Sequence, residues 1–133
     1  MYKKWSLEEL KAVPKNGHKV FSFFSCGGGS TMGYKLAGFD VIGNCEIDKQ
    51  ICDIYQKNHH PAYSYNMDIR DFLRLRDDKL PEELFQLDIL DGSPPCSVFS
   101  MAGNREDDWG KSKMFREGQT EQTLDDLFFE YIR

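Results

Sequence analysis

Between Lys19 and Gly38 the chain reads as a strand, a glycine turn and a helix in immediate succession, and no other stretch restricts its fold so strongly. Lys19-Val20-Phe21-Ser22-Phe23-Phe24 is short, aromatic and β-branched, as a buried strand requires. Ser25-Cys26-Gly27-Gly28-Gly29-Ser30 follows directly, and Met32, Leu36 and Ala37 then fall at helical spacing until Gly38 ends the element. A turn of this kind lets a ligand approach the backbone closely, so the segment predicts the first βα unit of an α/β, Rossmann-like sheet.

The flanking sequence continues the alternation. Upstream, residues 1–18 predict an accessory helix with Ser6 and Glu9 as a capping box, stopped by Pro14. Downstream, Phe39 to Cys45 reads as a second strand closing on Glu46. Asp48 then caps a helix through Asn58, with Ile51, Ile54 and Tyr55 on its inner face and Cys52 beside them. A third strand is expected over Ala62 to Asn66, leading to Met67-Asp68-Ile69, with a short helix or loop from Asp68 to Leu75. Pro81 suits the first position of a helical turn that feeds a fourth strand, Leu87, Ile89 and Leu90, with Asp91-Gly92-Ser93 as its turn.

Two prolines, Pro94 and Pro95, then hold the backbone extended before Cys96. This places a thiol at the carboxyl end of a strand, the edge at which open α/β sheets bind ligands. Taken alone, the stretch fits either a cysteine nucleophile or a proline-stiffened loop holding a small buried Cys. Residues 101–122 are polar, glycine-rich and long for a connection, which predicts a mobile active-site loop. Finally Thr123 caps a predicted amphipathic helix over residues 123–133, with Leu124, Leu127, Phe128, Tyr131 and Ile132 as its apolar stripe.

Composition removes several function classes. The four cysteines include no C-x-x-C pair, so no zinc site is expected, and Cys45 and Cys52 read as core packing. Seventeen Lys and Arg against 22 Asp and Glu give a formal charge of -5, the wrong sign for a module that grips phosphates nonspecifically. No apolar run approaches a membrane span and the first residues lack the core of a signal peptide, so a cytoplasmic protein with no membrane partner is expected. Read from Gly27, a dinucleotide fingerprint needs glycine where Met32 stands, which disfavours hydride transfer.

What remains is a set of strand ends: Phe24 to Gly28, then Glu46, Asp68 and Cys96. An acid ending the second strand is placed to accept from ribose hydroxyls, and one ending the third can take an adenine amino group. Together with Gly92-Ser93-Pro94-Pro95-Cys96-Ser97-Val98-Phe99-Ser100 and Leu127-Phe128-Phe129-Glu130, these segments resemble the amino-terminal half of the catalytic domain of DNA (cytosine-5) methyltransferases, over roughly residues 19 to 133.

The resemblance implies a Rossmann-like S-adenosylmethionine-dependent methyltransferase fold with the first four strands of its sheet. Residues 19–100 would form the cofactor-binding and nucleophile core. Phe24, Ser25, Gly27 and Gly28 would line the methionine side of S-adenosylmethionine, Glu46 the ribose, Ile47 an adenine face, and Asp68 with Ile69 the adenine edge and ring. Pro94 would close the pocket near the methyl group, and Leu127 would be part of its wall. Cys96 would be the catalytic nucleophile, adding to C6 of cytosine so that C5 can take the methyl group.

The family's Glu-Asn-Val and Arg-x-Arg motifs and its target-recognition region are not found in the 133 residues. The resemblance therefore implies a partial domain, with DNA gripped mostly by a remaining carboxyl-terminal half and little turnover by this chain alone. It implies membership of a restriction-modification system. An RNA cytosine-5 methyltransferase and a non-catalytic, cofactor-binding or self-associating fragment are the alternatives. Three positions depart from the family pattern: Ser22 stands where an Asp is usual, Cys26 where the first turn glycine is usual, and Ser97 where Gln is common after the nucleophile.

Overall fold

A computed structural model of the chain describes residues 6–95, 110–113, 122–124 and 126–133. Cys96, Ser97 and most of the predicted loop over 101–122 lie outside the described residues.

Four parallel strands form the centre: β1 (Lys19–Phe23), β2 (Asp40–Cys45), β3 (Tyr63–Tyr65) and β4 (Ile89–Gly92), in the order β3-β2-β1-β4. The order reverses between β1 and β4, which opens a crevice at the carboxyl ends of the strands. Helices α1 (Gly29–Leu36), α2 (Lys49–His59) and α3 (Ile69–Phe72) follow the first three strands. A two-residue antiparallel ladder, β5 (Ser112–Lys113) with β6 (Gln122–Thr123), precedes α4 (Leu127–Ile132).

Strand β1 is buried on both faces, and its alternation sorts the core. Phe21 and Phe23 join Cys45, Ile69, Phe72, Leu124 and Leu127 in one apolar cluster. The rings of Phe23 and Phe72 meet edge-on at 5.0 Å, as do those of Tyr65 and Phe72 at 4.9 Å, an arrangement that adds quadrupole attraction to area burial. On the other face the side chains turn polar. Ser22, Thr31, Asn44 and Cys52 are fully buried, and the buried Tyr55 hydroxyl shares a 2.8 Å hydrogen bond with Thr31. Burial pushes the Tyr55 phenol up to about 12, so it stays protonated.

The structure corrects several expectations. The accessory element is a 3-10 turn, Glu9–Ala12, although the Ser6 and Glu9 capping bonds are both made. Ile54 is 47% exposed, because the inward side of α2 is held by Cys52, Tyr55 and His59. Asp91 and Gly92 belong to strand β4 and pair with Ser22 and Phe23 instead of turning. Pro81 sits just before a 3-10 turn, Glu82–Phe85.

The last helix starts at Leu127, not beside Thr123, and Asp126 stands at its N-cap. Thr123 is held in β6, its carbonyl accepting from Arg70 at 2.8 Å. Of the predicted stripe, Leu124 and Leu127 are buried, while Phe128 and Ile132 are exposed. Cys45 and Cys52 pack in the interior as read from the sequence. Among the described residues no helix is long and apolar enough to cross a membrane.

Candidate cofactor cavity at the strand ends

After Phe23 the backbone leaves the sheet through a sequence of left-handed residues: Phe24 at φ 50°, Cys26 at 46° and Gly28 at 93°. At Gly28 nothing larger fits. A Cβ there would stand 2.2 Å from His59 Nε2 and 2.4 Å from its Cδ2. At Cys26 a side chain is accommodated, with the usual cost of about 1–2 kcal/mol for an L-residue in this region. The Cys26 N–H donates to Glu46 Oε2 at 2.9 Å, which helps hold the turn.

Glu46 leaves β2 almost fully buried, at 8% exposure. Its Oε1 accepts from the Asp48 N–H at 3.0 Å and its Oε2 from Cys26, so two backbone donors satisfy the charge. Each carboxylate oxygen keeps a further acceptor site. Asn66 donates to the Glu46 carbonyl at 2.8 Å and the Ile47 carbonyl at 3.0 Å, which fixes the loop that carries Ile47. After β3, Asp68 caps α3: its Oδ1 accepts from the Arg70 N–H and its Oδ2 from Arg70 Nη1, both at 2.8 Å.

These segments enclose a cavity of about 200 Å³ at the carboxyl rim. Phe24, Glu46, Ile47, Asp68, Ile69 and Leu127, all singled out from the sequence, line it. Phe23, Cys26, Cys45, Met67, Ser93 and Pro95 complete the wall. Strand alternation was the available signal for Phe23 and Cys45, whereas nothing local marked Met67.

Ser25, Gly27, Gly28 and Pro94 are not in the lining. Ser25 is buried and its Oγ accepts from Asn44 Nδ2 at 3.0 Å, while Gly28 faces His59 and Tyr55 of α2. Ser93 and Pro95, on either side of Pro94, do reach the cavity and lead into Cys96, which lies outside the described residues.

The two thiols in the wall are held protonated. Cys26 is exposed at the rim, yet partial desolvation by the cavity wall, then the neighbouring Glu46 charge, raises its thiol above the usual range, and burial pushes Cys45 up to about 12. Neither is suited to nucleophilic work at neutral pH. The cavity is therefore an apolar slot with carboxylate acceptors from two strand ends, suited to a ligand with a flat ring and several hydroxyl or amino donors.

A family model described as C-5 cytosine-specific DNA methylase matches residues 18–133. The chain is 37% identical over 118 residues to the Type II methyltransferase M.FnuDI of Fusobacterium nucleatum, covering 86% of this chain and 28% of that protein. It is 31% identical over 118 residues to the Type II methyltransferase M.NgoPII of Neisseria gonorrhoeae, covering 89% of this chain and 29% of that one. The chain thus spans less than a third of the length of these curated relatives. A crystal structure assigned as a DNA modification methyltransferase encoded within an E. coli prophage superposes with a TM-score of 0.50 at 27% identity, over 67% of this chain and 25% of that one.

Proposed function

The chain belongs to the C-5 cytosine-specific DNA methylase family, and from that premise we propose that it supplies the S-adenosylmethionine cavity and the nucleophile for methyl transfer to C5 of cytosine in DNA, within a restriction-modification system. The observation that carries this reading is the cavity at the strand ends, where Glu46 and Asp68 present carboxylates beside the apolar walls of Phe24, Ile47, Ile69 and Leu127.

The residues present fit the cofactor. Glu46 has an acceptor site left on each oxygen, enough for two ribose hydroxyls, and Asp68 can accept from an exocyclic amine. The apolar walls remove ring surface from water. Open space beyond Gly27 and Gly29 leaves room for a ligand against the turn. When bound, S-adenosylmethionine would supply an electrophilic methyl group on a sulfonium.

In this proposal Cys96 Sγ, as thiolate, would add to C6 of cytosine and make C5 nucleophilic enough to accept the cofactor's methyl group. Loss of the C5 proton to a base would then expel the cysteine as thiolate. The chain spans less than a third of the length of its curated relatives. In this reading the groups that protonate the ring and grip DNA would lie in the length it does not cover, so these 133 residues alone should bind cofactor without turning over.

Titration calorimetry with S-adenosylmethionine and S-adenosylhomocysteine tests the cavity: binding is expected in the parent, with at least about a tenfold loss in Glu46→Ala, the order of one charge-assisted hydrogen-bond pair. No heat with either compound would remove the proposal. The nucleophile is tested by covalent capture on DNA carrying 5-fluorocytosine, using a chain completed with a relative's carboxyl-terminal portion. Capture by Cys96→Ala at the parent level would exclude Cys96.

A further inference from the structure

We propose that Arg70 is a positioning residue that couples occupation of the cavity to the seating of residues 123–124 and 126–133; the inference rests on reading the cavity as the cofactor site. Its guanidinium spans two walls that are distant in sequence. Nη1 donates to Asp68 Oδ2 at 2.8 Å, on the wall formed by Asp68 and Ile69. Nε donates to Asp126 Oδ2 at 3.0 Å, and Nη2 donates both to Asp126 Oδ1 and to the Thr123 carbonyl, the latter at 2.8 Å. Asp126 stands at the N-cap of α4, and the next residue, Leu127, also lines the cavity.

All three guanidinium nitrogens are used, and the side chain is only 20% exposed. Lysine cannot reproduce this fork, because one ammonium cannot reach both carboxylates and a carbonyl in fixed directions. The geometry is asymmetric in what it holds. Leu124 and Leu127 are buried in the cluster with Phe23 and Phe72, but among the described residues their segment pairs as a strand only in the β5–β6 ladder, which is separate from the four-stranded sheet, and farther along Tyr131 Oη donates to the Leu90 carbonyl of β4 at 2.9 Å. Among the described residues Arg70 supplies side-chain bonds from α3 to both ends of that segment's entry, Thr123 and Asp126. A ligand that gains contact with Leu127 therefore favours the seated segment, and by reciprocity the seated segment favours the ligand.

The test uses the whole chain, with Arg70→Gln and Asp126→Asn as variants and S-adenosylhomocysteine as the probe. Asp126→Asn leaves Asp68 and its contact to Arg70 untouched, so it separates coupling from direct damage to the cavity. Amide hydrogen exchange in the ligand-free chain should speed up at 124 and 127–132 in both variants while the amides of β1 and β2 keep the parent's protection. Both variants should bind the probe about five- to tenfold more weakly, within the range of ordinary coupling between sites. In the parent, the probe should slow exchange at 127–132.

Parent-level affinity in Asp126→Asn, or unchanged exchange at 124 and 127–132 in both variants, overturns the coupling and leaves the cofactor site standing. A parent chain that binds no S-adenosylhomocysteine overturns both, and is told apart by the parent's own titration.

Discussion

Ser22 Oγ donates a 2.8 Å hydrogen bond to Asp91 Oδ2 across the β1–β4 pair. The family resemblance puts an aspartate at position 22, so in this chain the carboxylate sits one strand away, on β4. There it also accepts from Ser30 Oγ at 2.9 Å and Tyr34 Oη at 3.4 Å. One acid thus collects hydroxyls from β1 and from both turns of α1, and ties the glycine turn to the strand that leads to Cys96.

Restoring the family's residue alone should be harmful. Ser22 is fully buried, so Ser22→Asp would place a second carboxylate against Asp91, at a cost of about 2 kcal/mol or more. Adding Asp91→Ser should recover most of the loss, because a single carboxylate again faces a hydroxyl. Urea unfolding of the two single variants and the double variant measures this coupling. Additive losses would show that the two positions do not share one charge.

Cys26→Gly should remove the left-handed strain at φ 46° and raise stability by about 0.5–1 kcal/mol, since the side chain is exposed and little packing is lost. It also clears a side chain from the cavity wall, so S-adenosylhomocysteine should bind more tightly. In the parent, Cys26 should alkylate slowly at neutral pH. Glu46→Gln should speed the reaction, because the Glu46 charge helps keep the thiol protonated. An unchanged alkylation rate would remove Glu46 as a cause.

Gly27 and Gly28 are adjacent and should behave differently. Gly28→Ala meets His59 Nε2 at 2.2 Å at a positive φ and should cost at least about 2 kcal/mol. Gly27→Ala meets nothing within 4 Å, so stability should stay within about 0.5 kcal/mol of the parent. Its effect should fall on ligand affinity instead. Thermal unfolding beside calorimetry separates the two, and a destabilised Gly27→Ala would contradict the turn geometry.

His59 should make stability depend on mildly acidic pH. The ring is buried under the glycine turn, its Nδ1 has no partner among the described residues, and burial followed by the Lys35 charge lowers its pKa below 6.5. The hydrogen bond to the Gly28 backbone opposes this only in part. With a folded pKa below the unfolded one, the contribution is complete above pH 6.5 and is lost as pH falls below it, because the unfolded chain then binds the extra proton. Asp126, held down by Arg70, loses its contribution only below about pH 3.8, so the two windows separate. Unfolding midpoints from pH 7.5 to 5 should fall in the parent and flatten in His59→Gln.

Much of the sheet was legible because its signals are local. Asp48 caps α2 as read, its side chain accepting from the Ile51 N–H at 3.0 Å, and the strand-end acids Glu46 and Asp68 reach the cavity as their placement implied. The failures share a cause in distant partners. Gly92 reads as a turn residue, yet it lies in β4 where Tyr131 packs so closely that a Cβ would come within 2.3 Å of its ring. Thr123 reads as a helix cap until Arg70, far back in the chain, takes its carbonyl. Ser25 and Gly28 belong to a turn with two faces, and only α2 packing decides which face they serve.

The pairing of Val20 with Ile89 has a consequence for how the protein comes into being. A chain emerging from synthesis can set β1 beside β2 early, but the other flank of β1 waits until β4 has been made. Such distant parallel contacts form slowly because the intervening loop must close first. The crevice between β1 and β4 is thus a late product of folding, and until it forms the hydrophobic flank of β1 stands open to unwanted strand partners.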